Sequence, residues 1–315
     1  MTVRVGVDVG GTKTAVLVAD EAGRALGQAR RPTDVSQPEG LVAGIVATID
    51  DGLRAAGAAR AAVAAVGVGV PGQVNPQGGT VSLAVNLNLG EPFALGDALA
   101  AALGAPVTLE NDVRTAAWGA YHWAGAAEPL DSLAYLSIGT GIAAGLVLDG
   151  RLYRGAHGMA GEIGHIPVDP AGPRCVCGGY GCLEVFAAGP AIAAQAAAAF
   201  PGDAPDTRRV YALAQAGDAT AAAIVARAAT YLARAVYLLV LSYDVDKVVV
   251  GGGVTRSGAA FERPLRRALA GLRADSPLAA GMLPDEKIVL VPGELDAGLI
   301  GAVYLADHAG ATSRR

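Results

Sequence analysis

Cysteine, aromatic side chains and charge are all scarce in this 315-residue chain: three cysteines, 5% aromatics and 17% charged residues. An apolar content of 52% and a mean hydropathy of +0.40 invite a membrane reading, but there is no uninterrupted apolar run of the roughly 18 residues that a spanning helix needs. The excess is carried by Ala, Val and Gly in short segments, such as Ala61 to Val70, which stops at Pro71-Gly72. No Lys/Arg run occurs, and 24 basic residues against 29 acidic ones leave a net charge of −5, which argues against a nucleic-acid partner. The opening MTVRVGVDVGG enters a strand pattern without a basic stretch, an apolar stretch or a cleavage site, so a cytoplasmic protein without a membrane partner is expected. The three cysteines fall within Cys175 to Cys182, an odd, clustered set that suits a metal better than a disulfide. A single core is near its practical ceiling at this length, so two lobes are expected.

Residues 3–31 alternate with period two around Gly10-Gly11 and Gly23, which predicts a three-stranded antiparallel meander. Helical spacing over about 38–57 (Leu41, Ile45, Ile49, Leu53) leads into a strand at 64–70. A short helix carries Leu95, Leu99 and Leu103, and a strand at 107–109 delivers Glu110-Asn111-Asp112, where Asn111 or Asp112 can cap a helix beginning at Val113. The second half repeats the opening in weaker form: strand 133–138, the turn Gly139-Thr140-Gly141, and strand 142–148. Two strand-turn-strand units suggest a duplicated, two-lobed α/β architecture. Beyond the cysteines the longest helix starts near Asp218, strands follow at 247–250 and 287–291, a last helix covers about 297–306, and the tail 310–315 is expected to fray.

Five elements can carry chemistry. The turn Asp8-Val9-Gly10-Gly11-Thr12-Lys13 offers backbone N–H groups and a hydroxyl to an anion, and a carboxylate to Mg²⁺; it also fits an ordinary two-glycine hairpin. Gly139-Thr140-Gly141 has the same form in the other half, and the pair fits the two ends of a polyphosphate. Glu110-Asn111-Asp112 sets a carboxylate at the positive end of a helix dipole, ionised and ready to accept a hydroxyl proton, unless Asp112 is only a cap. His165, Cys175, Cys177 and Cys182 match the Cys₃His set of a structural zinc site. Zinc there would fix a loop carrying Glu162 and Glu184, a wall for a polyol, although both could be plain surface charges. Gly251-Gly252-Gly253 follows a strand and would let an adenine ring approach the backbone.

Taken in order, D-V-G-G-T-K, L-E-N-D, I-G-T-G-I, G-E-I-G-H and C-V-C-G-G-Y-G-C-L-E resemble the ROK family of sugar kinases. The resemblance implies a two-lobed actin-like ATPase (ribonuclease H-like) fold, with duplicated sheet-and-helix domains around a central cleft. It implies a small lobe over residues 1–112, joined by a final helix at about 297–309, and a large lobe over 113–296 that carries the zinc loop. By the same resemblance Asp112 is the catalytic base, and Asn111, Asp112, Glu162, His165 and Glu184 bind the sugar. Asp8, Gly10, Gly11, Thr12, Lys13, Gly139, Thr140, Gly141, Gly252 and Gly253 face the nucleotide and its Mg²⁺, and His165, Cys175, Cys177 and Cys182 hold zinc.

The implied activity is ATP-dependent phosphorylation of a hexose, glucose at its 6-hydroxyl first, by a homodimer or homotetramer. An N-acetylhexosamine, amino-sugar or fructose kinase, polyphosphate as donor, and a non-catalytic sugar sensor are the alternatives. ROK repressors carry an additional N-terminal winged helix, and with the phosphate turn beginning at Asp8 none is expected here. Three departures from the family pattern stand out: Ala143 and Ala144 replace glycines after the second phosphate turn, Ala120 stands where glucokinase-like members usually have Glu, and the loop from Ala84 to Phe93 lacks a tryptophan.

Overall fold

The computed structural model describes residues 2–308. Leu130–Arg151 and Gly161–Leu295 form one compact unit; the described residues on either side, with Leu152–Ala160, form the other. The expected frayed tail at 310–315 lies outside the described residues.

In chain order the first unit supplies β1 (Val3–Val9), β2 (Lys13–Ala19), β3 (Ala25–Pro32), α1 (Pro38–Ala55), β4 (Val63–Val70), β5 (Gln73–Asn75), β6 (Thr80–Ser82), α2 (Leu95–Leu103), β7 (Val107–Asn111) and α3 (Asp112–Gly125). The second continues with β8 (Leu133–Ile138), β9 (Ile142–Leu148), β10 (Arg151–Tyr153, whose last two residues begin the first unit's segment Leu152–Ala160), α4 (Glu184–Ala187), α5 (Gly189–Ala199), α6 (Thr207–Gln215), α7 (Ala219–Tyr243), β11 (Lys247–Gly251), α8 (Ala259–Asp275), α9 (Pro277–Met282) and β12 (Ile288–Leu290). The chain then returns to the first unit in α10 (Ala297–Leu305).

The two main sheets have the same winding. In the first the order is β3-β2-β1-β4-β7, and in the second β10-β9-β8-β11-β12. β1 pairs antiparallel with β2 and parallel with β4, and β4 runs parallel to β7. β8 pairs antiparallel with β9 and parallel with β11, which runs parallel to β12. The repeat read from the two glycine turns is therefore a repeat of whole sheets. Parallel strands bring their carboxyl ends to one edge, where open α/β sheets present their functional side chains: Asp8, Gly69 and Glu110 lie abreast on β1, β4 and β7.

Both faces of the first sheet are covered. Valines of β1, β2 and β4 pack against Leu41, Ile45, Ile49 and Leu53 of α1, the face given by the helical spacing. On the other side Ala15, Leu17 and Ala19 meet Leu299 and Val303 of α10. α10 lies backbone to backbone on α3: a Cβ on Gly301 would sit 1.8 Å from the Thr115 carbonyl, and one on Gly119 2.0 Å from that of Ala297. This contact keeps α3 with the first unit, whereas a lobe boundary at residue 112 would have given it to the second. In the second unit α7 buries Ile224, Ala228, Leu232, Ala235 and Leu239. By length and composition α7 could cross a bilayer, with a mean hydropathy of 1.6, but 56% of that stretch is buried inside the protein, and Arg227 and Arg234 interrupt it.

Smaller differences from the sequence reading have local causes. The strand expected at 107–109 runs to Asn111, because the pairing with β4 extends from Val66↔Val107 to Val70↔Asn111. Beyond Pro71-Gly72, where the strand at 64–70 stops, the chain forms the short hairpin β5-β6. The strand expected at 287–291 covers only Ile288–Leu290, since Asp285–Lys287 forms a 3₁₀ turn.

Candidate functional site

In the first unit the β1–β2 turn is braced from below. The Gly10 N–H donates to the Lys13 carbonyl at 2.9 Å, and the Thr33 hydroxyl donates to the Gly10 carbonyl at 2.7 Å. Thr12 and Lys13 are exposed at its tip. Gly11 lies against the backbone of Asn86, 2.8 Å from where a Cβ would be, so the segment around Asn86 packs directly on the turn.

Asp112 is the first residue of α3, and Asn111 is its cap, accepting from the N–H groups of Val113 and Arg114. The Asn111 amide also donates to the Gly72 carbonyl at 3.2 Å, so this side chain fixes the strand-to-helix junction. Burial pushes the Asp112 carboxyl above its ordinary range, against the pull of the Val113 N–H and Arg114. Asp8 is pushed up to about 7, first by burial and then by the carboxylates of Asp296 and Asp112, with Lys13 and Arg30 opposing. Three acidic groups are thus brought to one sheet edge, where a cation would relieve their repulsion.

Immediately before the junction lies Glu110, fully buried at 0% exposure. One carboxylate oxygen accepts from Arg114 Nε at 2.7 Å and the Asn111 N–H at 2.9 Å; the other accepts from Arg154 Nε at 2.6 Å. Arg114 also donates to the Gly158 carbonyl at 2.9 Å. These bonds tie Leu152–Ala160 to the strand end that presents Asp112.

In the second unit the metal-type residues converge. The ligand atoms of His165, Cys175, Cys177 and Cys182 lie within 4.8 Å of one another. Cys177 and Cys182 Sγ are 3.6 Å apart, and Cys175 Sγ is 3.5 Å from His165 Nδ1. Those spacings fit the edges of a tetrahedron with Zn–S near 2.3 Å and Zn–N near 2.0 Å, which run about 3.5–3.8 Å. Burial and the neighbouring sulfurs push the Cys182 thiol up to about 12, so a thiolate there calls for a cation. The four residues can hold a metal ion.

The segment before His165 packs on β9: the Ala144 N–H donates to the Gly161 carbonyl at 2.7 Å, and a Cβ on Gly164 would lie 2.0 Å from the Ile142 carbonyl. Ala144 is itself buried. Glu162, between these contacts, is exposed. Glu184 opens α4 and accepts from the Ile142 N–H at 3.0 Å. Thr140 is exposed at the tip of its turn. A Cβ on Gly252 would lie 2.4 Å from the Ile138 carbonyl, so the loop after β11 packs against the strand leading into that turn. Gly253 starts a short 3₁₀ turn. Asp8, Gly10, Gly11, Thr12, Lys13, Asn111 and Asp112 are thus grouped in the first unit. Gly139, Thr140, Gly141, Glu162, the metal-type set, Glu184, Gly252 and Gly253 belong to the second.

The family model of the ROK proteins matches residues 4–309. This chain belongs to the ROK family. The ROK protein is 32% identical over 319 residues to the glucokinase of Thermotoga maritima, spanning 96% of each chain. It is 34% identical over 251 residues to the N-acetylmannosamine kinase of Citrobacter koseri, 79% of this chain and 82% of that one. The crystal structure of a ROK family glucokinase from Streptomyces griseus in complex with glucose and AMPPNP superposes with a TM-score of 0.78 at 31% identity, covering 97% of this chain and 99% of the other. The two like-wound sheets of the ROK protein are those of the actin-like ATPase fold.

Four residues of the site escaped the sequence reading. Arg114 and Arg154 show their role only once Leu152–Ala160 is seen beside β7. Asp296 reaches Asp8 from the far end of the chain. Thr33 lies beyond the meander it braces. Of these only Arg114 left a signal, a charge four residues after Glu110, the spacing of a helical ion pair.

Proposed function

We propose that this ROK protein is an ATP-dependent hexose kinase, with glucose at its 6-hydroxyl as the first substrate to test. The observation that carries the reading is Asp112, a carboxylate at the head of α3 whose affinity for a proton is raised by burial, in a chain whose relatives include glucokinases.

Transfer of a phosphoryl group through a loose transition state needs little covalent help, so the protein contributes positioning and charge. As the sugar oxygen bonds to the γ-phosphorus and ADP departs, the hydroxyl proton passes to the Asp112 carboxylate. An elevated proton affinity suits that step, since a base works best when its pKa approaches the working pH. Asn111, capped onto α3 and bonded to Gly72, holds the junction so that Asp112 keeps its direction. Glu162, His165 and Glu184 are the groups that hydrogen-bond the remaining hydroxyls. The N–H groups and hydroxyl of Gly10, Gly11 and Thr12, with Lys13, receive phosphate in the first unit; Gly139, Thr140 and Gly141 do so in the second, with Gly252 and Gly253 toward the nucleoside.

Asp8 would hold the Mg²⁺ that accompanies ATP and offsets its phosphate charge; the repulsion Asp8 feels from Asp296 and Asp112 is what a divalent cation relieves. His165, Cys175, Cys177 and Cys182 would hold zinc as a structural cross-link, which fits their donor set and spacing. Thiolate ligands fit a reducing, cytoplasmic setting, and the active form is a homodimer or homotetramer.

A second reading, an N-acetylmannosamine kinase, is favoured by the 34% identity to the Citrobacter koseri protein. A panel of glucose, mannose, fructose and N-acetylhexosamines with ATP, read by coupled ADP release, separates the two. Asp112→Asn should bind sugar yet lose turnover by a factor on the order of a hundred to ten thousand. Wild-type turnover in that variant would remove Asp112 from the role of base.

A further inference from the structure

The Gly139-Thr140-Gly141 turn is held at both ends by one short stretch of chain. At its exit the Ile142 N–H donates to Glu184 Oε2 at 3.0 Å. At its entrance the Gly139 carbonyl accepts from the Gly189 N–H at 2.9 Å. Both partners follow closely on Cys182: Glu184 is the first residue of α4 and Gly189 the first of α5. That stretch is anchored in turn: the Leu183 N–H donates to the Ile166 carbonyl at 3.0 Å, and Cys182 Sγ lies 3.4 Å from the His165 carbonyl. Gly141 is packed against the same carboxylate, since a Cβ there would lie 2.5 Å from Glu184 Oε2. A residue expected to bind a sugar hydroxyl therefore spends one oxygen on the backbone of the phosphate turn.

We propose that Glu184 is a positioning residue for the nucleotide: by accepting from the Ile142 N–H it fixes the Gly139–Gly141 turn in the form that receives phosphate, and so joins sugar recognition to nucleotide affinity. This rests on the kinase reading above. The carboxylate is suited to both tasks. It has two oxygens, so one stays on Ile142 while the other accepts from a sugar hydroxyl. A charged acceptor also makes the stronger bond to an N–H donor. Because binding couplings are reciprocal, sugar bound to Glu184 should tighten nucleotide to the same degree that nucleotide tightens sugar.

The test is nucleotide binding without sugar, measured by titration calorimetry with magnesium and AMPPNP. Glu184→Ala should weaken AMPPNP about tenfold, the loss of one charge-assisted hydrogen bond, while keeping wild-type metal content and a cooperative melt. Glu184→Gln keeps an oxygen for the Ile142 N–H and should stay within about threefold of wild type. A Glu184 that touches sugar alone would leave AMPPNP affinity unchanged in Glu184→Ala, and that result overturns the proposal. So does a Glu184→Gln variant as weak as the alanine. Gly141→Ala supplies an independent arm: its Cβ displaces the carboxylate, so its penalty should shrink in the Glu184→Ala background. A multiplicative double variant contradicts the coupling. Failure of the wild-type protein to bind AMPPNP at all overturns the kinase reading instead.

Discussion

Replacing Arg114 with methionine should cost the protein far more than the same change at Arg154, although both arginines hold the same carboxylate. Glu110 is fully buried, and the Arg114 side chain beside it is only 6% exposed. Without Arg114 the carboxylate keeps a charge that water cannot reach from that side, a situation that costs about 3–5 kcal/mol. Arg154 is 41% exposed, so water can enter where its guanidinium was and solvate the second oxygen. The cost there falls to about 1–2 kcal/mol. In a protein of this size the first change should lower Tm by about 6 °C and the second by about 2 °C, read by thermal denaturation at neutral pH and fixed protein concentration. The decisive comparison adds Glu110→Leu to Arg114→Met. If the penalty comes from an orphaned charge, removing that charge restores most of the lost Tm. A double variant no more stable than Arg114→Met, or an Arg154→Met variant that loses as much as Arg114→Met, would refute the reasoning.

Two further outcomes follow from the acidic edge and the sulfur cluster. Asp8 titrates near 7 in the folded chain and near 3.8 when unfolded, so its ionised form disfavours folding; the cost builds from about pH 4 and is complete above about pH 7. Asp8→Asn should therefore raise Tm by roughly 5 °C at pH 8 without added magnesium, a gain that shrinks as the pH is lowered toward 4, while ATP-dependent turnover is lost. Cys177→Ser should release metal measured by elemental analysis, lower Tm and weaken sugar binding together, because three donors no longer close the tetrahedron; unchanged sugar affinity after proven metal loss would separate the cluster from the sugar wall.

What could be read in advance was local. Residues 3–31 alternate, turn on glycines and alternate again, so the meander and its tip at Asp8 to Lys13 are visible in one short stretch. His165 and the three cysteines were legible because no other residues compete for their chemistry, and the structure brings their ligand atoms together. The α1 face was legible from its period alone. Long-range contacts were not. Nothing near Glu110 announces that Arg154, 44 residues on, neutralises it, nor does Asp8 announce Asp296. Gly119 and Gly301 look like ordinary helix glycines until the two backbones are seen in contact. Residue type does not choose between Asn111 and Asp112 as the cap of α3, because both cap well; the strand register, which carries β7 through to Asn111, decides for Asn111.

The seating of α10 has a consequence for biosynthesis. The first unit opens with β1 and is completed only by a helix at residues 297–305, whereas the second unit is drawn from residues 130–295 apart from one short excursion. On the ribosome the later-encoded unit thus has all its strands available before the earlier one is whole. Until α10 emerges, Ala15, Leu17 and Ala19 have no cover from Leu299 and Val303, and an apolar sheet face waiting for its lid is the kind of surface chaperones retain. Ribosomes stalled shortly before residue 297 should display that face to a holdase, and those stalled after the helix has cleared the exit tunnel should not.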